Sequence, residues 1–443
     1  MNRIILIGNG FDLAHGLLTK YEDFINWYWG KWMKILRMCH ERNISDGLCT
    51  FMLKSSEDTW HSFLWNRLSG INPPTSAEFI KYIFDAPEIF EVAMGDLFRN
   101  IYKAIGEKKW VDIENEYYKE LKKDGFNSPE KLNKELAIVE SKLIEYLQEI
   151  QKTKINSSIL NPDLKNILFA SFKEEEIAVD ARPILISFIK NRYWGYLVGG
   201  DGEDISIGER LGYDKTEKSR QELKRFLEAY GEQIEQMGIE SALDGNSIPE
   251  ALLYPNRIMF LNFNYTNVAD LYIPDEDEYW FPNNHIHGNL NNRDSIIFGY
   301  GDELDNSYQT LLRQENNEYL RNIKSIRYLE SSNYRNMLQF IESAPYQIFV
   351  LGHSCGISDR TLLNTLFEHK NCVSIKPYYY QKSDGTDNYL ELVQNICRNF
   401  TDMKLMRDRV VNKTYCTPLP QNVLTRQSDI TRYSHSNEEK YDI

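Results

Sequence analysis

The sequence predicts an open, mostly parallel α/β sheet with a large α-helical insertion, and three observations carry that prediction. Arg3-Ile4-Ile5-Leu6-Ile7 is a β-branched apolar run that stops at Gly8-Asn9-Gly10, the signature of a strand buried on both faces. Runs of the same kind return in the last third of the chain. Helical periods fill the stretch between them, from about Leu17 to Ala242.

The elements follow in order. After the first strand, Tyr21, Phe24, Trp27, Tyr28, Trp29 and Trp32 crowd an aromatic-rich helical stretch. The clearest helix of the middle opens with Ser128 as cap and Pro129 at its first position, then sets Leu132, Leu136, Val139, Leu143, Tyr146 and Ile150 at steps of four and three. That stripe calls for another helix, within the domain or across a dimer. Strands are expected at 258–261, 285–287, 295–298, 347–351 and 373–375, with helical segments at 311–329, 334–341, 359–368 and 389–399. Strands alternating with helices argue an open α/β sheet, and the N-terminal strand can join it because loop-closure cost rises slowly with length. The expected organisation is a discontinuous α/β domain of residues 1–24 plus 251–410, a mainly helical insertion at 25–250, and a polar, mobile tail at 411–443.

The 51 Lys and Arg against 65 Asp and Glu leave a net charge of −14, a field that repels phosphate backbones, so bulk binding to nucleic acid or anionic membranes is not expected. A hydrophobic content of 42% is too high for a disordered chain, and no uninterrupted apolar run approaches the roughly 18 residues of a membrane span. The first residues show no apolar leader core, so no signal peptide and a cytoplasmic location are expected. Cysteines at 39, 49, 355, 372, 397 and 416 form no CxxC pair and no zinc spacing, which suits free thiols in a reducing compartment and predicts no metal.

Four short stretches could carry chemistry. Gly8-Asn9-Gly10-Phe11-Asp12 follows a buried strand and precedes a helix, the shape of a nucleotide-binding corner, although Leu13 stands where a third glycine would complete the dinucleotide fingerprint. Asp12 there could cap the helix or accept a ribose hydroxyl. Asn262-Phe263-Asn264-Tyr265-Thr266 ends the strand through Leu261, where doubly wound folds place ligand contacts, and Asn264 could hold a ribose or a water. In His285-Ile286-His287-Gly288, His287 suits a general base and His285 a structural role. Gly352-His353-Ser354-Cys355-Gly356 fits the G-x-S-x-G elbow of α/β hydrolases, but the downstream histidines, His369 and His435, are poorly placed for a triad. Its other reading is a second nucleotide corner, with Gly352 and Ser354 at a ribose or phosphate and Asp359 capping a helix or binding a hydroxyl.

Residues 2–17 and 351–359 closely resemble the bacterial phage abortive-infection AbiH family, a likeness that covers nearly the whole chain and implies a defence role. More distantly, Gly8-x-Gly10-x-Asp12-x-x-x-Gly16-Leu17, then Asn264-Tyr265, then His287-Gly288, then Gly352-x-Ser354 is similar to the ordered motifs of sirtuins. That resemblance implies a Rossmann-like, sirtuin/DHS-like core that binds NAD+ and splits its nicotinamide glycosidic bond. Gly8, Asn9, Gly10, Asp12, Gly352, Ser354 and Asp359 would hold the dinucleotide, Asn264 would position the nicotinamide ribose or the water, and His287 would be the base. Asp12 replaces the sirtuin Ser, Leu18 stands at a Pro position, and Thr266 replaces an acidic residue. The four-cysteine zinc module of deacetylating sirtuins is missing, so the resemblance implies NAD+ hydrolysis rather than deacetylation. The alternatives are a nucleotide sensor or oligomerisation module without catalysis, and a serine hydrolase using Ser354. A phage component as trigger and a homo-oligomer are the expected partners.

Overall fold

The computed structural model describes residues 1–54, 59–68, 75–108, 112–123, 128–199, 216–238, 248–274 and 279–422. They fall into two compact units. One comprises Met1–Leu17, Ile155–Asn289 and Tyr328–Ile443; the other comprises Leu18–Lys154 and Leu290–Arg327. Residues 155–250, assigned from sequence to the helical insertion, thus group with the sheet, and residues 290–327 group with the helical unit. In chain order the strands are β1 (Asn2–Ile7), β2 (Asn43–Ser45), β3 (Cys49–Leu53), β4 (Phe90–Met94), β5 (Ile258–Asn262), β6 (Asn283–His285), β7 (Tyr346–Leu351) and β8 (Cys372–Tyr378).

The first unit is built on a five-stranded sheet in the order β6-β5-β1-β7-β8, every pairing parallel. All residues of β1, β5, β7 and β8 are buried, which is why residues 4–7, 258–261 and 348–351 are apolar runs unbroken by alternation, while β8 buries Ser374 and Lys376 among its apolar residues. Counted along the chain, the strands run 3-2-1-4-5, so the winding reverses between β1 and β7, the point where open α/β sheets present a crevice at their carboxyl ends. Arg3 crosses the buried face, donating to Gln347 Oε1 at 3.0 Å and to Ala170 O, with its guanidinium 4.1 Å from the Phe349 ring. Helices Arg182–Gly199 and Thr216–Met237 close a core of Leu185, Ile189, Tyr193, Phe226, Ile234 and Val373. The start of the polar tail is pinned: Val411 N–H donates to Ile375 O, Leu419 N–H to Tyr379 O and Asn422 N–H to Ala14 O, at 2.8–2.9 Å. Residues 423–443 of that tail lie outside the described residues.

In the second unit the long helix is Pro129–Lys154, and Leu132, Leu136, Val139, Leu143 and Tyr146 of its stripe are buried. The helix it calls for is Tyr21–Met38: Tyr146 sits 5.4 Å from Trp27 and 6.1 Å from Phe24 between ring centroids. The helical middle also contains an antiparallel sheet, β2-β3-β4, that the sequence does not announce. The expected strand at 295–298 is absent. Arg293–Ser295 forms a single 3-10 turn, and Ile296, Ile297 and Phe298 bury their side chains from irregular backbone. The expected helical stretch 311–329 is broken into short pieces, among them Asn306–Leu312 and Lys324–Arg327. No helix among the described residues is long and apolar enough to cross a membrane.

Candidate functional site

The sheet register brings the four stretches to one level. Ile7 pairs with Asn262 and with Leu351, and Asn262 pairs with His285. Each strand therefore leaves the sheet at its carboxyl edge in the same row, and the first loop bonds continue the ladder: Phe263 N–H donates to Ile7 O at 2.9 Å and Ile286 N–H to Asn262 O at 3.0 Å. The two glycine corners meet face to face. Gly10 N–H donates to Gly352 O at 2.8 Å, and a Cβ on Gly8 would stand 2.5 Å from His353 Cα. What comes closest to these glycines is the main chain of the other corner. Their outward rim is made of Asn9 and Ser354, both exposed, with Gly10 and Gly352 half-exposed between.

Behind that rim Asp12 is buried and faces neither a helix terminus nor solvent. Its Oδ1 accepts from Asn264 Nδ2 at 2.9 Å and its Oδ2 pairs with the Thr266 hydroxyl at 2.6 Å. Burial pushes its carboxyl up to about 7, against the lowering effect of these two partners. The second Asn264 amide hydrogen goes to Gly8 O at 3.1 Å, so both hydrogens are committed and any ligand contact from Asn264 falls to Oδ1. Thr266 and Asp12, two of the three departures from the sirtuin motifs, are thus hydrogen-bonded to each other. A second polar tie sits nearby: His15 Nδ1 donates to Phe11 O at 2.7 Å, and Tyr272 OH lies 2.6 Å from His15 Nε2 while accepting from Asn161 N–H at 2.8 Å. Phe11 O only accepts, so the hydrogen is on Nδ1 and Tyr272 donates to Nε2.

The two histidines of the third stretch part company. β6 ends at His285, the chain turns, and Gly288 takes φ +79°. His285 Nε2 lies 3.2 Å from Asp270 Oδ1 and 3.3 Å from Asn283 Nδ2. His287, buried, places Nε2 3.3 Å from Asp359 Oδ1 and 3.1 Å from Tyr328 OH. His353 from the glycine turn approaches the same carboxylate, its Nε2 3.6 Å from Asp359 Oδ2. Asp359 precedes the helix Arg360–Phe367 but makes no side-chain cap bond; its carboxylate is turned to the two imidazoles instead. Phe263 lies against both rings, 5.2 Å from His287 and 4.1 Å from His353 between centroids. A carboxylate beside a strand-end imidazole is the arrangement that orients a histidine for proton transfer.

Asn264, His287, Asp12, Asp359, Gly8, Gly10 and Gly352 are therefore gathered at one edge, and Ser354 points away from the buried part. Ser354 offers its backbone carbonyl to Asn395 at 3.0 Å, and among the described residues its hydroxyl meets no histidine. The strained residue of the elbow is Cys355, the one described non-glycine residue with positive φ, at +53°. His353 and Tyr328 escape sequence reasoning. His353 occupies a variable position of G-x-S-x-G, so attention to that motif falls on Ser354, and Tyr328 carries no local signal.

Residues 4–380 match the family described as Bacteriophage abortive infection AbiH. The chain belongs to this AbiH family. It is thereby a phage abortive-infection protein, and the matched span runs from within β1 past the carboxyl end of β8, so it takes in Gly8, Asp12, Asn264, His287, Gly352 and Asp359. No curated protein and no solved structure matches the chain.

Proposed function

We propose that this AbiH protein acts against phage by binding NAD+ at the carboxyl edge of β5, β1 and β7 and hydrolysing its nicotinamide glycosidic bond. Breaking that bond passes through an oxocarbenium-like state, helped by a clamp on the ribose, a polarised water and exclusion of bulk solvent. Asn264 Oδ1 holds the ribose or the water. His287 takes the proton as the water oxygen bonds to C1′, the C1′–N bond breaks, and nicotinamide leaves neutral. The products are nicotinamide, ADP-ribose and one proton. Asn9, Gly10, Gly352 and Ser354, on the outward rim, meet the phosphates and the second ribose. The observation that supports this reading above others is the carboxylate of Asp359 beside His287, on the same edge as both glycine corners.

One observation favours a second reading, a nucleotide sensor that does not cleave. Asn264 and His287 are only 8% and 4% exposed, and both Asn264 amide hydrogens are committed internally. The two readings separate in infected cells. Hydrolysis predicts that NAD+ falls in cells carrying the wild-type protein and holds in cells carrying His287→Ala or Asn264→Ala at equal soluble abundance. NAD+ loss that persists in both variants overturns it.

A further inference from the structure

Asp359 supports the hydrolase reading by its place beside His287, and its other neighbours say how it acts there. It could have capped the helix Arg360–Phe367, where a side-chain oxygen is strongly favoured, yet it makes no such bond. Giving up a cap costs about 1 kcal/mol, so the carboxylate must be better satisfied elsewhere. It is aimed between two imidazoles, 3.3 Å from His287 Nε2 and 3.6 Å from His353 Nε2, with only 10% of its side chain exposed.

The turn that supplies His353 is strained for this purpose. Cys355 adopts φ +53°, and the conformation turns its N–H onto His353 Nδ1 at 3.0 Å. An N–H only donates, so Nδ1 is the acceptor and the neutral ring carries its hydrogen on Nε2, facing Asp359. Asn399 Nδ2 holds the turn by donating to Cys355 O at 2.9 Å. His287 Nε2 is met by both Tyr328 OH and Asp359, and the ring of Phe263 stands nearly perpendicular to the imidazole.

We propose that Asp359 is a positioning residue that orients His287 and strengthens its hold on a proton, while His353, fixed by the Cys355 turn, competes for the same carboxylate. His353 shares the carboxylate as a neutral ring whose Nε2 hydrogen faces Asp359, so the negative charge is left to favour the imidazolium form of His287. The inference rests on the hydrolase reading for its consequence, but its geometry does not.

The test is a pH titration of the imidazole nitrogens by long-range nitrogen-15 NMR on the full chain, in the wild type, Asp359→Asn and His353→Phe. In the wild type the His353 nitrogens report the neutral tautomer with its hydrogen on Nε2; a hydrogen on Nδ1 overturns the proposal even if neither variant folds. In folded Asp359→Asn the His287 midpoint falls by about one pH unit or more, a tenfold loss of proton affinity, and in His353→Phe it rises. A His287 midpoint unmoved in Asp359→Asn overturns it. If the wild type releases nicotinamide from NAD+, Asp359→Asn lowers kcat with little change in KM and moves the acidic limb of the profile by the same amount. A wild type that releases none sinks the hydrolase reading, and the titration still decides the role of Asp359.

Discussion

Gly10 N–H donates to Gly352 O at 2.8 Å, and a Cβ on Gly10 would stand 2.7 Å from Gly352 Cα. Two loops more than 300 residues apart along the chain are thus packed backbone to backbone at the point where the sheet reverses its winding. Gly352 also needs φ +74°, and a side chain there would strike Phe11 N and Gly10 C. Gly352→Ala combines a left-handed backbone with overpacking and is expected to destabilise the protein by roughly 2–4 kcal/mol. Chemical denaturation of the purified variant measures this, and a loss below about 0.5 kcal/mol, the range of a neutral surface change, refutes the interlocked corners.

Asp12 makes stability depend on pH in the direction opposite to an ion-paired carboxylate. Its folded pKa is raised from 3.8 to about 7 by burial, so the folded protein holds a proton that the unfolded chain releases. The contribution of Asp12 to stability is therefore largest below about pH 4, falls as pH rises toward 7, and is level above that. The loss amounts to a few kcal/mol, since each pH unit between the unfolded and folded midpoints is worth about 1.4 kcal/mol. Asp12→Asn keeps an acceptor for Asn264 and a donor for Thr266, so it is expected to flatten this part of the profile and to gain stability at pH 8. Denaturation midpoints of both proteins from pH 4 to 8 check it; parallel profiles contradict it.

His15 works the other way. Burial lowers its pKa below 6.5, so the folded protein refuses a proton that the unfolded chain accepts, and stability is lost as pH falls through 6.5. Its partner Tyr272 donates to His15 Nε2 and accepts from Asn161 N–H. Tyr272→Phe strands both groups and is expected to cost about 1–3 kcal/mol. Thermal melting at pH 7.5 reads it, and an unchanged melting temperature argues that water replaces the hydroxyl without loss.

Ser354 is expected to be inert as a nucleophile. It is exposed, and its carbonyl rather than its hydroxyl is engaged, by Asn395. A fluorophosphonate probe should leave the wild-type protein unlabelled, and Ser354→Ala should retain the cysteine-turn geometry and raise KM for NAD+ through loss of the rim hydroxyl, without abolishing cleavage. Stoichiometric labelling lost in Ser354→Ala would establish the serine-hydrolase alternative.

Much of the sheet is legible in the sequence because β1, β5 and β7 are buried on both faces, which forces apolar runs that end at Gly8, Asn262 and Gly352. The helix Pro129–Lys154 is legible for a similar reason: Ser128, Pro129 and the buried stripe agree on one period. The sheet β2-β3-β4 is hidden because β2 is three residues long with none buried, and because β3, which buries Cys49, Phe51 and Leu53 alternately, carries the apolar Met52 on its exposed side, blurring the alternation. Ile296, Ile297 and Phe298 mislead because burial alone asks for apolar side chains, and they obtain it without a ladder. At the site, Gly8, Asn264 and His287 stand at strand ends and can be picked out locally. The pairing of Asp359 with His353 depends on a turn strained at Cys355 and on loops meeting in space, neither of which leaves a periodic trace.

The convergence of Gly10, Asn264, His287 and Gly352 on one edge is tested most directly by incubating purified protein with NAD+ and quantifying nicotinamide and ADP-ribose by mass spectrometry. Several protein concentrations are needed, since assembly can gate activity. The expected result is equimolar release of the two products by the wild type, lost in His287→Ala and Asn264→Ala that retain the wild-type melting profile. Undiminished release by both folded variants, or intact NAD+ with the wild type at every concentration, contradicts the hydrolase assignment.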